Sequence, residues 1–387
     1  PGWNQYMYTN TMGYDMHYDA GAMIVPTNAA LADWWAHDGK VLQDKFGSWD
    51  QVPDDVLAEL LNVNMLGSFS KTVPSKFGNI MNDAKVPLGI TKADVDSCFM
   101  GCNGAIYMTH KVFGPSAYSS VSFPALINKN TTMGVVYWGI DKLDFKPYLN
   151  SMDSYYSLLL PSNDAMLYYV DPCSYGETQQ SVIAFRYDNK EKTVKASRYN
   201  CTIAADGIIT LGRRIEESVL PEIIQNRLSD MMNNLIIAGN VEDGHEYYKT
   251  KGGSFIQVKH AGSLGSMSLA GGWQLEHNQQ LPVQNIYDMS KGGNGKSYVL
   301  DTQMPLGASK SVYETLKGHP EYSEFFSLIT GGDPNDPANN LMINTIGKKY
   351  SAPKNNYNVR LFDTYNYTVY VPTNAAIRKL ITDGVLP

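Results

Sequence analysis

No apolar run in these 387 residues reaches the 18 needed for a helix that crosses a bilayer. There is also no run of Lys or Arg, and the formal net charge is −7, so the basic surface that grips a phosphate backbone is absent. Charged residues make up only 18% of the chain. Gly-x-Ser-x-Gly does not occur, and none of the seven histidines sits beside a Ser or Cys in a nucleophile elbow. Asn294-Gly-Lys-Ser297 has a phosphate-loop ending, but Ser290 stands where the first glycine belongs and the following Tyr298-Val-Leu-Asp301 is strand-like. Asp333, Asn335 and Asp336 resemble a calcium loop, yet Ala338 and Asn344 occupy the positions that need Gly and Glu. Neighbouring acids such as Asp94/Asp96 and Glu216/Glu217 read as a solvated face, because a catalytic pair must converge across a cleft. The sequence therefore calls for no catalytic set, no cofactor and no nucleic acid.

Cysteine is scarce at four residues: Cys98, Cys102, Cys173 and Cys201. Zinc needs tight Cys/His pairs meeting at one centre, and His110 lies on the strand after Cys98-x-x-x-Cys102. An even count permits two disulfides with three connectivities. We expect Cys173 to pair with Cys201, stapling the base of an insertion described below.

What is present is repetition. Ile24-Val-Pro-Thr-Asn-Ala-Ala-Leu31 returns as Leu159-Leu-Pro-Ser-Asn-Asp-Ala-Met166 and as Tyr370-Val-Pro-Thr-Asn-Ala-Ala-Ile377. In each copy an apolar strand ends at a proline that lacks a ladder donor. The following Thr27, Ser162 or Thr373 is placed to cap a helix. A second landmark, Asn103-Gly-Ala-Ile-Tyr107 and Asn294-Gly-Lys-Ser-Tyr298, is a hairpin signal leading into a strand and then Pro115 or Pro305.

This pairing of motifs resembles the fasciclin-like (FAS1) domain family. The family opens a helix at Pro-Thr-Asn and closes with an Asn-Gly strand about a hundred residues later. The opening helix of a family domain is matched by Ser311-Val-Tyr-Glu-Thr-Leu316 running into Tyr322 to Ile329. The family's central Tyr-His pair, tied to integrin contact, is missing from Leu60–Leu66 and from Asn234–Gly239, so that property does not carry over. Asp301 keeps the acid that ends the family's last strand, where the first copy has His110.

The resemblance implies an α+β fold of tandem domains, each a β-sandwich or wedge with flanking helices. We expect one at 1–117 with its opening helix upstream of Pro1, one at 118–308, and an incomplete one at 309–387. Pro26 to Asn103 spans 77 residues and Pro161 to Asn294 spans 133, so the second domain carries 56 more. Most should fall at about 173–220, as a hairpin of Ser181–Tyr187 and Thr193–Tyr199 that projects from the core. Its deletion should leave the domain folded. Ser254–Lys259 and Trp273–Glu276 read as half-buried strands, and Val52–Gly67 as a helix.

Tyrosine is abundant at 26 residues, and the doublets Trp34-Trp35, Tyr155-Tyr156, Tyr168-Tyr169 and Tyr247-Tyr248 can each turn only one ring fully inward. Arg186, Tyr187 and Tyr199 are the expected partner-binding residues. The functional expectation is a non-catalytic adhesion or assembly protein of a bacterial cell surface or outer membrane, anchored through a segment not in this chain. Its partners would be other surface proteins. The alternative is an accessory lipoprotein of an outer-membrane nutrient-uptake complex, beside a transporter barrel, binding a glycan or peptide. A polymer-acting enzyme is the third reading.

Overall fold

The computed structural model describes residues 20–101, 104–175, 177–310, 312–330 and 368–385. The chain divides into two compact units, Pro1–Leu306 and Gly307–Pro387. Among the described residues the larger unit is a mixed α+β structure with four four-stranded sheets.

The first sheet holds β1 (Gly21–Pro26), β2 (Met65–Leu66), β3 (Val95–Gly101) and β4 (Gly104–Thr109), in the order β2-β1-β4-β3. Strand β1 runs parallel to β4, from Gly21 opposite Gly104 to Pro26 opposite Thr109. Further along come β5 (Tyr156–Pro161), β6 (Tyr169–Val170), β7 (Ser181–Asp188), β8 (Thr193–Ile203) and β9 (Ile209–Glu216). Then follow β10 (Ile236–Ala238), β11 (Tyr247–Lys249), β12 (Phe255–Lys259), β13 (Ser268–Ala270), β14 (Leu281–Pro282), β15 (Asn285–Met289) and β16 (Gly295–Leu300).

The order β10-β5-β16-β15 repeats the first sheet strand for strand. Its parallel pair runs from Tyr156 opposite Gly295 to Pro161 opposite Leu300. Pro26 and Pro161 therefore hold the same register place, as do Gly104 and Gly295. The junction after each proline is also the same: Thr27 N–H donates to Thr109 O and Ser162 N–H to Leu300 O, both at 2.8 Å. Asn103 lies outside the described residues.

The helices follow this duplication. Those before the second sheet are α1 (Asn28–Ala36), α2 (Lys40–Phe46), α3 (Asp54–Asn64), α4 (Phe123–Ile127), α5 (Gly134–Lys142) and α6 (Lys146–Leu149). After them come α7 (Pro221–Leu235) and α8 (Gly272–Glu276). Helix α3 feeds β2 and α7 feeds β10. Acids at Asp54 and Asp55 favour the start of α3, and Pro221 opens α7 where its missing N–H costs nothing. Helices α4 to α6 cover one face of the second sheet, with Val121, Val136, Ile140, Phe145 and Leu149 packed in the same core as Leu158 and Leu160.

The residues that the second copy adds form two sheets rather than one hairpin. The first, β6-β7-β8-β9, is not a projection: Val182, Ile183, Ala184 and Phe185 are fully buried. Val182, Ile183 and Phe185 share a core with Leu228 and Met231 of α7 and with Met304 and Leu306. The expectation of a dispensable hairpin is corrected accordingly. A run that is apolar at consecutive positions buries both faces of its strand and must sit inside the domain. The second added sheet, β11-β12-β13-β14, covers the other face of the duplicated sheet with Ile256, Val258 and Leu269. Trp273–Glu276, read above as a strand, lies in helix α8; Gln274 Oε1 accepts from Gly271 N–H and Leu306 N–H and holds that turn.

Polar bonds tie the first copy to the second. Lys146 Nζ lies 2.7 and 2.8 Å from the carboxylate of Glu59, which also accepts from Tyr137 Oη. Asp83 accepts from Ser116 N–H, Ala117 N–H and Asn150 Nδ2.

In the smaller unit, α9 (Val312–Gly318) and α10 (Ser323–Thr330) precede α11 (Asn374–Thr382). Leu316 and Phe326 pack with Val369 and Val371.

Candidate functional site

The Pro-Thr/Ser-Asn motif has a structural job in two steps. First, its hydroxyl caps. Thr27 Oγ1 accepts from Ala30 N–H at 3.2 Å and Thr373 Oγ1 from Ala376 N–H at 3.3 Å, opening α1 and α11. Ser162 Oγ accepts from Ala165 N–H at 3.4 Å, but only a short 3-10 turn, Ala165–Tyr168, follows. Second, the asparagine clamps a helix that comes before it in the chain. Asn163 Oδ1 accepts from Val135 N–H at 3.1 Å, and its Nδ2 donates to Thr131 O at 3.2 Å. Asn374 Oδ1 accepts from Glu324 N–H and its Nδ2 donates to Pro320 O, both at 2.9 Å. Val135 and Glu324 are the second residues of α5 and α10, so the clamp satisfies one of the free N–H groups of a helix start. Sequence reasoning saw the cap and missed the clamp, because its partners lie 28 and 50 residues away.

Asn28, in the first copy, is exposed and makes no side-chain hydrogen bond among the described residues. Beside it is a groove of about 330 Å³ lined by Met23, Val25, Leu31, Leu57 and Leu61. Sheet register shows what this groove corresponds to. Met65 and Ile236 are equivalent, since they face Met23 and Leu158. Counting back along the helices then matches Leu61 with Met232. Leu61 is 49% exposed, whereas Met232 is 1% exposed and packs against Gly139 of α5. The groove is thus the first copy's helix seat.

Across the first sheet, Met65, Met23, Ile106 and Phe99 form one row, each opposite the next. The row ends on β3, an edge strand among the described residues. There Phe99 is 52% and Met100 66% exposed; Asp96 and an irregularity between Val95 and Ser97 interrupt only the start of the strand. Edge strands of soluble proteins are ordinarily blunted by such features, and the Phe99-Met100 end has none. The same row in the second copy runs Ile236, Leu158, Ser297, Tyr287 and is covered; Ser297 Oγ donates to Val121 O at 2.6 Å.

Asn294, 2% exposed, stitches the second copy together. Its Oδ1 accepts from Val121 N–H, and its Nδ2 donates to Leu149 O and Ser151 O, at 2.6 to 2.8 Å. Of the expected partner-binding residues, Arg186 is exposed on β7. Tyr187 is half-buried against Gly134, and burial pushes its hydroxyl above the usual range. Tyr199 is half-buried on β8. The three do not form one exposed patch.

Cys173 and Cys201 are both free thiols, so the expected bridge is corrected. Cys201 faces the core under the added sheet, where burial raises its pKa. Cys173 stays outside, with Arg227 donating to its Sγ at 2.9 Å. Arg227 and Arg198 converge on buried Asp171. Burial alone would raise that carboxyl; hydrogen bonds from Arg198 and Cys173 N–H and the two positive charges hold it below the usual range.

No protein-family model and no curated protein matches the sequence. Among solved structures, the chain is similar to a FAS1 domain pair from the insect cell adhesion molecule fasciclin I. Identity is 12%, the TM-score is 0.28, and the match covers 74% of this chain and 88% of that one. A likeness this slight carries neither fold nor function.

Proposed function

We propose a non-catalytic adhesion or assembly protein of the FAS1 kind that works through protein–protein contacts, exported and held at a cell surface or outer membrane. The apolar edge of β3 carries this reading: Phe99, Met100 and Ile106 are solvent-facing on adjacent strands, and among the described residues no strand pairs with the outer side of β3, which can accept one. The test is adhesion of protein-coated beads to each other and to cells of the source organism. Phe99→Lys with Met100→Lys should abolish clustering and attachment while leaving the melting temperature unchanged. Wild-type behaviour of that variant would overturn the reading.

A cleft between the two added sheets favours a second role, ligand capture by an accessory surface lipoprotein of a nutrient-uptake complex. A transporter barrel recovered with the protein from solubilised outer membrane in a fixed ratio would support it. Recovery of the protein alone would remove it.

A further inference from the structure

The first residues of β9 and the edge strand β14 face each other across a cleft of about 570 Å³, a size common for small-ligand sites. Both strands belong to sheets that, among the described residues, the first copy of the fold lacks. Among the described residues no charged side chain lines this cleft. Its polar side chains are the hydroxyls of Tyr168 and Thr302 and the amides of Gln279, Gln280 and Gln303; Gln280 is already bonded to Ser268 Oγ and Gln257 Oε1. Gln303 Oε1 accepts from Gln274 Nε2 at 3.3 Å, and among the described residues its Nε2 has no hydrogen-bond partner. Among the described residues the side chains of Tyr168, Thr302 and Gln279 make no hydrogen bond, and Gln279 Oε1 is shielded from solvent with no donor. An amide held only by packing can turn toward an incoming group. Ile208, 58% exposed, and Pro282 supply apolar wall.

We propose that this cleft binds an uncharged oligosaccharide. The chemistry selects the class. A charged ligand would lose hydration with nothing here to replace it. Hydroxyl groups both donate and accept, as amide and hydroxyl side chains do, so a polyhydroxylated ligand matches every polar group in the cleft. The C–H faces of sugar rings fit Ile208, Pro282 and the Tyr168 ring. An extended peptide fits less well, because Pro282 removes a backbone donor from β14 and the polar groups belong to side chains. The proposal names the ligand class for the capture reading and is separate from the β3 contact.

The experiment is calorimetric titration of the full chain with neutral tetrasaccharides of the cello, malto, laminari, manno and chito series. Tetragalacturonate and a neutral hexapeptide serve as comparisons. At least one neutral sugar should bind saturably, with affinity changing less than about twofold between low and high salt. Thr302→Trp, which fills the cleft, should weaken binding at least about tenfold; Gln279→Ala and Tyr168→Ala should each weaken it several-fold, and they decide the matter if the tryptophan variant does not fold. Phe99→Lys with Met100→Lys should bind sugar as wild type, so loss of adhesion and loss of sugar binding are told apart. Binding by none of the neutral sugars, binding only of the acidic sugar or the peptide, or wild-type affinity in the cleft variants would each overturn the proposal.

Discussion

Ile106 and Ser297 hold the same register place in two copies of one sheet, yet Ile106 is 39% exposed and Ser297 is fully buried. Met23 and Leu158 lie beside them and differ in the same direction. The difference is in what covers the sheet, since Ser297 is bonded to Val121 at the start of α4's approach.

Exchanging the two residues tests this. Ile106→Ser should cost about 1 kcal/mol or less, as expected for a site in contact with water. Ser297→Ile should cost roughly 2–4 kcal/mol, because it overpacks a filled core and leaves Val121 O without its donor. Urea denaturation followed by tryptophan fluorescence reads both; equal costs would contradict the exposed-row assignment.

The asparagine clamp makes a similar contrast. Asn163→Ala should destabilise by about 1–2 kcal/mol, since it removes the bonds to Val135 N–H and Thr131 O. Asn28→Ala should be within about 0.5 kcal/mol of wild type. Thermal melting of the two variants side by side separates them.

Asp171 gives a pH dependence with a fixed sign. Its folded pKa is lowered, so the stability it contributes is present above the unfolded value near 3.8 and is lost as pH falls through the folded value. Wild type should therefore lose stability on acidification below about pH 4. Asp171→Asn should be less stable at neutral pH by about 3–5 kcal/mol, with two arginines left facing an uncharged group, and should show a shallower acid limb. An unchanged acid limb in that variant would count against the network.

Thiol titration checks the cysteines. Under native conditions without reductant, Cys173 should react with an aromatic disulfide reagent within minutes, and Cys201 only after unfolding, judged by peptide mapping. A Cys173–Cys201 peptide pair in the unreduced digest would refute the free-thiol state.

Removing residues 174–200 should unfold the second copy, because the deletion takes Phe185 and its fully buried neighbours out of a shared core. Circular dichroism and a melting curve report this directly.

The duplication was legible in the sequence because its markers are local. A proline ends a strand and the next hydroxyl caps the turn that follows, each through chemistry within a few residues, whereas Asn294 acts through backbone groups more than 140 residues away. Val56, Leu60 and Val63 likewise announced α3 by their spacing. What the markers could not show was how added segments would be used. Val182–Phe185 reads as a strand in any setting; only the packing of α7, Met304 and Leu306 makes it core. The same limit applies to Asn28 and Asn374, both set in Val-Pro-Thr-Asn-Ala-Ala and yet different in role. Whether each finds a helix to clamp depends on backbone groups far along the chain, and long-range pairing of that kind is settled by tertiary structure alone.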